Sequence, residues 1–191
     1  SPEEVGVSSD RINRLTNVMQ EYVDQNKMSG AVALVARKNK IIYYNAVGKS
    51  DLENDRMMNK DAIFRIASQT KAIVSVGIMI LQEEGKLLIS DPLSKFIPEF
   101  KESTVAVSSD DGNYKIVKSK REITLRDLLT HTAGIGYGQG MASDLWAEAG
   151  IQGWYFANRD EPIIDTVKRM ANLPNDAHPG EQFVYGYNTD I

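Results

Sequence analysis

Ser68 and Lys71 stand three positions apart at the head of a long apolar run, Phe64-Arg65-Ile66-Ala67-Ser68-Gln69-Thr70-Lys71-Ala72-Ile73-Val74-Ser75-Val76-Gly77-Ile78-Met79-Ile80-Leu81. Residues three apart share one face of a helix, so the Lys71 stem rises beside the Ser68 hydroxyl. A serine at a helix start also meets the positive end of the dipole, which favours negative charge building on or near its oxygen. Apolar neighbours would bury Lys71 and disfavour its ammonium form, making it a proton acceptor. A nucleophile and its base on one rigid turn is the physical content of Ser-x-x-Lys. By itself the motif is weak, because about one chance match is expected in a chain of this length. The competing reading is an N-cap serine with a solvated lysine. What raises the catalytic reading is position, where an apolar, strand-like run meets a very apolar helix.

A serine–lysine pair needs a third group to pass the proton to the leaving group. Tyr185 is a candidate, in the tight turn Val184-Tyr185-Gly186-Tyr187-Asn188, because a tyrosine beside a lysine ammonium can share its proton. The bland alternative for Tyr185 is an amphipathic residue at the core edge, and Tyr187 and Asn188 are other polar groups on the same turn. His131 raises a Ser-His-Asp triad as competitor. It precedes a glycine-bearing turn at a helix end, where histidines commonly bond last-turn carbonyls. No Gly-x-Ser-x-Gly elbow is present, so His131 is expected to be structural and His178, in a Pro-Gly loop, exposed. Gly134-Ile135-Gly136-Tyr137-Gly138-Gln139-Gly140 fails the spacing of both phosphate-loop patterns and follows a helix. It is expected to be a mobile loop, with Tyr137 lining a cleft. Two histidines without cysteine make a zinc site improbable, and neither a metal nor a cofactor is expected.

These residues depend on the elements around them. Ile12, Leu15, Val18, Met19 and Tyr22 recur at helical spacing behind a Ser8 or Ser9 cap. Gly30 to Ala36 suits a buried strand, and Ile41 to Gly48 a second one, joined by Lys38-Asn39-Lys40 into a hairpin. Residues 51–61 are polar and turn-rich. Gly85 is the stop signal of the helix that begins at Ser68. Asp91-Pro92 opens a short helix to Phe96. Two short apolar stretches flank Ser108-Ser109-Asp110-Asp111-Gly112-Asn113, which predicts a small surface hairpin outside the core. Thr124 caps a helix through Leu129, and further helices are expected at 142–149 and 162–171. No internal repeat or low-complexity segment is present.

The bounds are ordinary. With 191 residues, 42% hydrophobic and 25% charged, the chain has room for one large or two small globular units. A net charge of -4 gives no electrostatic reason to expect nucleic acid or an anionic membrane as partner. Zero cysteines exclude disulfides and thiol catalysis. No apolar run reaches the roughly 18 residues of a membrane span. The first residue is Ser rather than Met, the mark of a removed leader or a trimmed chain. The compartment is left open, with the periplasm or secretion favoured over the cytoplasm. Asn188-Thr189-Asp190-Ile191 looks like a helix beginning, so the chain is expected to be part of a longer one.

Taken together, several stretches resemble the serine β-lactamase and D,D-peptidase superfamily, on the class C β-lactamase-like branch that includes family VIII carboxylesterases. They are Ser68-Gln69-Thr70-Lys71 after Phe64-Arg65-Ile66-Ala67, Glu84-Gly85-Lys86-Leu87 with Asp91-Pro92-Leu93, Ile123 to Ile135, and Pro179-Gly180-Glu181-Gln182-Phe183-Val184-Tyr185. The resemblance runs in order over nearly the whole chain. It implies an α+β fold, an antiparallel sheet flanked by helices plus a mostly helical domain, with C-terminal strands missing. The expected division is an N-terminal helix and first strands in 1–66, then the nucleophile helix and helical domain in 67–191 with a hairpin near 103–118. The resemblance implies Ser68 as acylated nucleophile, Lys71 as its base partner, Tyr185 as second acid/base and a structural His131. Tyr137, Tyr187 and Asn188 are expected beside the substrate. The turn departs from the Tyr-x-Asn of class C β-lactamases, since Gly186 and Tyr187 intervene and Asn188 comes one place late, which tilts the reading towards esterases. The family's Lys-Thr-Gly strand, which lines the cleft and supplies one oxyanion-hole amide beside that of Ser68, has no counterpart here. The expected activity is hydrolysis of an ester, amide or β-lactam carbonyl in a small-molecule or peptidoglycan-like substrate. A companion C-terminal segment would complete the fold, and the alternative is a non-catalytic penicillin-binding-like module or an inactive N-terminal fragment.

Overall fold

The structure is a computed structural model that describes residues 1–153 and 160–191. Contacts divide the chain into two compact units, Ser1–Arg65 and Ile66–Ile191. Among the described residues no helix is long and apolar enough to cross a membrane.

In the first unit, α1 (Ser9–Asp24) begins where extended Ser8 accepts the Arg11 amide on its side chain. That satisfies one of the amides a helix start leaves without a partner. β1 (Gly30–Arg37), β2 (Lys40–Asp51) and β3 (Arg56–Met57) form an antiparallel sheet in that order. The β1–β2 turn is tight because Lys38 and Asn39 both take the left-handed conformation that two-residue hairpins require. Gly30 faces Gly48 across the ladder, and a side chain on either would strike the opposite backbone. The strands can approach there only as glycines. Thr16 Oγ1 and the Tyr43 hydroxyl share a 2.7 Å hydrogen bond, and Asn45 Nδ2 donates to Thr16 Oγ1 at 3.1 Å, which pins α1 to β2.

Three expectations change in this unit. β1 is half-buried rather than buried, with Leu34 52% exposed. Residues 51–61 include the short strand β3. The run before Ser68 carries no strand, and Ile63 and Phe64 are exposed. Continuous apolar sequence reports burial on both faces only when another layer covers each face.

In the second unit, α2 (Gln69–Glu83) ends at Gly85, whose left-handed φ of 71° suits a helix stop. Ile78 and Leu81 pack on the core, which gathers Leu93, Phe100, Ile123, Leu128, Ile135, Trp146, Ile151, Val167, Met170 and Tyr187. β4 (Thr104–Ser108) and β5 (Tyr114–Lys118) form the expected hairpin. It is not the solvent excursion its charge suggested. Val105 and Ala106 are each 1% exposed, and the Ala106 amide donates to the Asn175 carbonyl at 3.0 Å. β4 therefore belongs to the core, while β5 and the polar turn face outward.

α3 (Leu125–Leu129) starts at a capping box in which Thr124 and Asp127 bond each other's backbone amides. Arg121 grips Asp127 with two bonds of 2.6 and 2.9 Å. Burial pushes the Asp127 carboxyl up, but Arg121 and the Thr124 bonds outweigh it and lower the group to about 2. α4 (Ser143–Glu148) and α5 (Ile163–Met170) follow, and Trp146 Nε1 donates to the Pro174 carbonyl at 3.0 Å. The Gly134–Gly140 loop, expected to be mobile, is packed: Ile135 is 1% exposed and Gly134, Gly136 and Gly138 are buried. His178 is half-buried rather than exposed, and its Nδ1 accepts the Lys120 amide.

Candidate active site

Ser68 occupies the N-cap position of α2, in the right-handed helical region, after Ala67 at a left-handed φ of 44°. A left-handed alanine is a strained residue, of the sort that tight functional turns retain. The Ser68 side chain makes no capping bond and the residue is exposed, so its hydroxyl is not spent on the helix. The solvated-lysine alternative does not describe Lys71 either, whose side chain is only 13% exposed.

Lys71 Nζ forms an ion pair of 2.7 Å with Asp190 Oδ2. The ammonium also lies 5.7 Å from the ring centre of Tyr185 and 6.0 Å from that of Tyr137. Burial pulls the Lys71 ammonium down, but the hydrogen bond and charge of Asp190 outweigh it and the net shift is upward. This corrects the expectation that burial makes Lys71 a ready proton acceptor. Asp190 is the site residue that sequence reasoning missed. The signal available was its place in the Asn188-Thr189-Asp190 turn, which looked like a helix cap.

Tyr185 is 44% exposed and stacks on His131, with ring centres 4.5 Å apart and planes at 30°. Tyr137 meets the Tyr185 ring edge-on at 5.9 Å, a favourable arrangement of ring quadrupoles. Gly186 lets this turn lie against the glycine loop, because a side chain there would strike the Ile135 carbonyl and the Gly136 backbone. The intervening glycine in the tyrosine motif thus has a steric reason. Lys71, Tyr185, Tyr137, Asp190 and His131 are brought together, and Ser68 opens the same helix one turn before Lys71.

The other two candidates turn inward. Tyr187 is 1% exposed, its hydroxyl donates to the Gly153 carbonyl at 2.6 Å, and its ring lies edge-on to Tyr137 at 4.8 Å and along Trp146 at 6.3 Å. Burial raises its phenol well above the ordinary value. Asn188 is fully buried, and its Nδ2 meets the Ile135 carbonyl at 2.8 Å, the Val184 carbonyl at 3.1 Å and His131 Nδ1 at 3.1 Å. The Asn188 amide thus lies within hydrogen-bond distance of the His131 imidazole. Burial first, and the Lys71 charge second, push it below its ordinary value in the same sense. Neither Tyr187 nor Asn188 presents surface to a substrate; both hold the floor beneath Tyr185 and Tyr137.

The description Beta-lactamase fits residues 15–190 as a family match. The chain is 33% identical to Esterase EstB of Burkholderia gladioli over 183 residues, which are 93% of this chain and 43% of the esterase. It is 30% identical over 173 residues to Protein Rv1367c of Mycobacterium tuberculosis (strain ATCC 25618 / H37Rv), covering 91% of this chain and 42% of that one. Among solved structures, EstCE1, described as a hydrolase with promiscuous acyltransferase activity, superposes with a TM-score of 0.76 at 28% identity over 93% of this chain and 44% of its own. Simvastatin Synthase (LovD) from Aspergillus terreus shares the fold, with a TM-score of 0.73 at 23% identity, over 96% of this chain and 46% of its own. The chain spans less than half the length of these relatives. On residues 15–190, it belongs to the Beta-lactamase family and has a β-lactamase/transpeptidase-like fold.

Proposed function

We propose that the protein of which these residues form part is a serine hydrolase acting through an acyl-enzyme on Ser68. The observation that carries the reading is the cluster of Lys71, Tyr185 and Tyr137 one helical turn from an uncapped, exposed serine. Ser68 Oγ bonds to the carbonyl carbon while its proton passes to the Lys71–Tyr185 pair. The same proton then goes to the departing oxygen or nitrogen as its bond to the carbonyl carbon breaks. Water enters by the reverse sequence and frees the acid. The reactive state is the one in which the pair lacks one proton, and Asp190 works against that state by holding the ammonium. Tyr187 and Asn188 act as positioning residues. Esters are the favoured substrates, because EstB is named an esterase and EstCE1 a hydrolase with acyltransferase activity. Amides, β-lactams and peptidoglycan-like substrates are the other members of the carbonyl class.

The second reading is that this chain alone is an inactive fragment or a non-catalytic, penicillin-binding-like module. What favours it is the coverage, 43% of EstB. A companion segment would supply the remaining cleft wall. The test is intact-mass analysis after exposure to a serine-directed phosphonate. One adduct that disappears in Ser68→Ala is expected, followed by turnover of p-nitrophenyl esters ahead of β-lactams. An adduct that persists in Ser68→Ala overturns Ser68 as nucleophile. No adduct on a chain supplied with the companion segment overturns the hydrolase reading.

A further inference from the structure

Tyr185 is 44% exposed, and among the described residues no hydrogen bond ties down its hydroxyl. What aims the ring is contact with other rings. Tyr137 offers only an edge-on meeting at 5.9 Å, whereas the His131 imidazole lies along the phenol at 4.5 Å with planes at 30°. Phe183, two residues earlier, meets the same imidazole at 5.8 Å and 57°. Stacking at such distances is favourable, and it restricts the plane of the ring as well as its position.

The imidazole is not spent on closing α3. Main-chain bonds do that: the His131 amide donates to the Leu128 carbonyl at 3.2 Å and the Thr132 amide to the Asp127 carbonyl at 2.8 Å. His131 takes a left-handed φ of 55°, a region that asparagine, aspartate and histidine enter more readily than other side chains. The backbone leading to Tyr185 is likewise tied without the ring. The Gly180 amide donates to the Thr132 carbonyl and the Val184 amide to the His131 carbonyl, each at 2.8 Å. The ring itself rests on Asn188, whose Nδ2 lies 3.1 Å from His131 Nδ1. That nitrogen also donates to the Ile135 and Val184 carbonyls, so both its hydrogens keep acceptors if Nδ1 is taken away.

We propose that His131 is a positioning residue whose imidazole is the platform that aims the Tyr185 ring at Lys71 and Tyr137. The inference rests on the reading of Ser68, Lys71 and Tyr185 as the reactive set. Two substitutions divide the platform from the turn. His131→Phe keeps a flat ring and gives up both nitrogens, whereas His131→Asn keeps the ease of the left-handed backbone and gives up the ring. A platform survives the first and is lost in the second. A residue needed only to turn the chain behaves the other way, because asparagine suits a left-handed φ better than phenylalanine does.

The place of Tyr185 is read as the nuclear Overhauser contact between its ring and that of Tyr137 in the tyrosine-labelled 191-residue chain, assigned with Tyr185→Phe. The contact is expected in the unmodified chain and in His131→Phe, and is expected to vanish in His131→Asn while urea unfolding stays cooperative. A contact that persists in His131→Asn, or is missing from folded His131→Phe or from the unmodified chain, overturns the proposal. Loss of cooperative unfolding in His131→Asn also overturns it, by assigning the side chain to the fold. If the left-handed backbone rejects phenylalanine, the His131→Asn result decides alone. Phosphonate labelling of Ser68, with the companion segment supplied, reads the chemistry separately. Its rate is expected to be kept in His131→Phe and to drop about tenfold or more in His131→Asn, as for a misplaced acid/base group. An unchanged rate in a His131→Asn chain that has lost the contact leaves the platform standing and counts against Tyr185 as the acid/base. Contacts in the expected order with no labelling in any chain leave the platform standing and count against the hydrolase.

Discussion

Lys71 keeps its proton because Asp190 stands 2.7 Å away in a setting that leaves the lysine side chain 13% exposed. The shift is upward, so the stability that the pair contributes is full below the ordinary 10.5 and is lost as the pH rises through the folded-state value. For the proposed reaction the sign is opposite, since in it a proton leaves the Lys71–Tyr185 pair before Ser68 gives one up. Acylation is accordingly expected to climb with pH. Asp190→Asn removes the group that raises Lys71, leaving burial to lower it, and is expected to move the climbing limb to lower pH while reducing the maximum rate. Phosphonate labelling rates followed from neutral pH to beyond the ordinary 10.5 of a lysine check this. A limb that stays in place would show that Asp190 does not set the Lys71 proton. None of this was legible from Ser-x-x-Lys, whose spacing places the amine beside the hydroxyl but says nothing of what faces it.

At the scale of elements, the short helix α3 is held by its start rather than by its length. Five residues are too few to be helical on their own, and the Thr124–Asp127 box with the Arg121 fork supplies what propensity does not. Asp127 is lowered to about 2, so its contribution is present above the ordinary 3.8 and is lost as the pH falls through about 2. Asp127→Asn is expected to cost about 1–3 kcal/mol at neutral pH, the range of a lost cap plus a half-exposed ion pair. The cost should shrink towards pH 2, and urea unfolding of the two chains at both pH values measures it. The caps at Ser8 and Thr124 and the stop at Gly85 were readable because each is a local event of a few residues. The loop before α4 was misread as mobile for the complementary reason: glycines report what the backbone can do, and packing against Asp176, Ala177 and Gly186 decides what it does.

Across the whole molecule, α2 is apolar nearly all round, yet no residue of it is buried. Ile78 and Leu81 touch the core, while Ile73 is 62%, Val76 58%, Met79 44% and Ile80 49% exposed. A helix apolar on nearly every side is ordinarily an enclosed one, and the relatives are more than twice as long as the part matched here. The companion segment is expected to cover the Ile73–Val76–Ile80 face. Val76→Glu should change the stability of the 191-residue chain by less than about 0.5 kcal/mol, as for an open surface site. Co-purification with the rest of the protein, supplied as a separate chain, should be lost. A Val76→Glu chain that still co-purifies would place the companion elsewhere.

What the sequence by itself determined is whatever short-range periodicity and capping chemistry can specify: the helix that presents Ser68 and Lys71, the hairpins, the helix ends, and the order of stretches that marks the family. Tertiary structure alone decided the charge on Lys71, through a carboxylate 119 residues away, and the inward turn of Tyr187 and Asn188. It also drew β4 into the core against Asn175. The physical reason is range. Caps and amphipathic spacing act within a turn or two of the chain, whereas burial and ion pairing depend on neighbours that only the folded chain brings within a few ångströms.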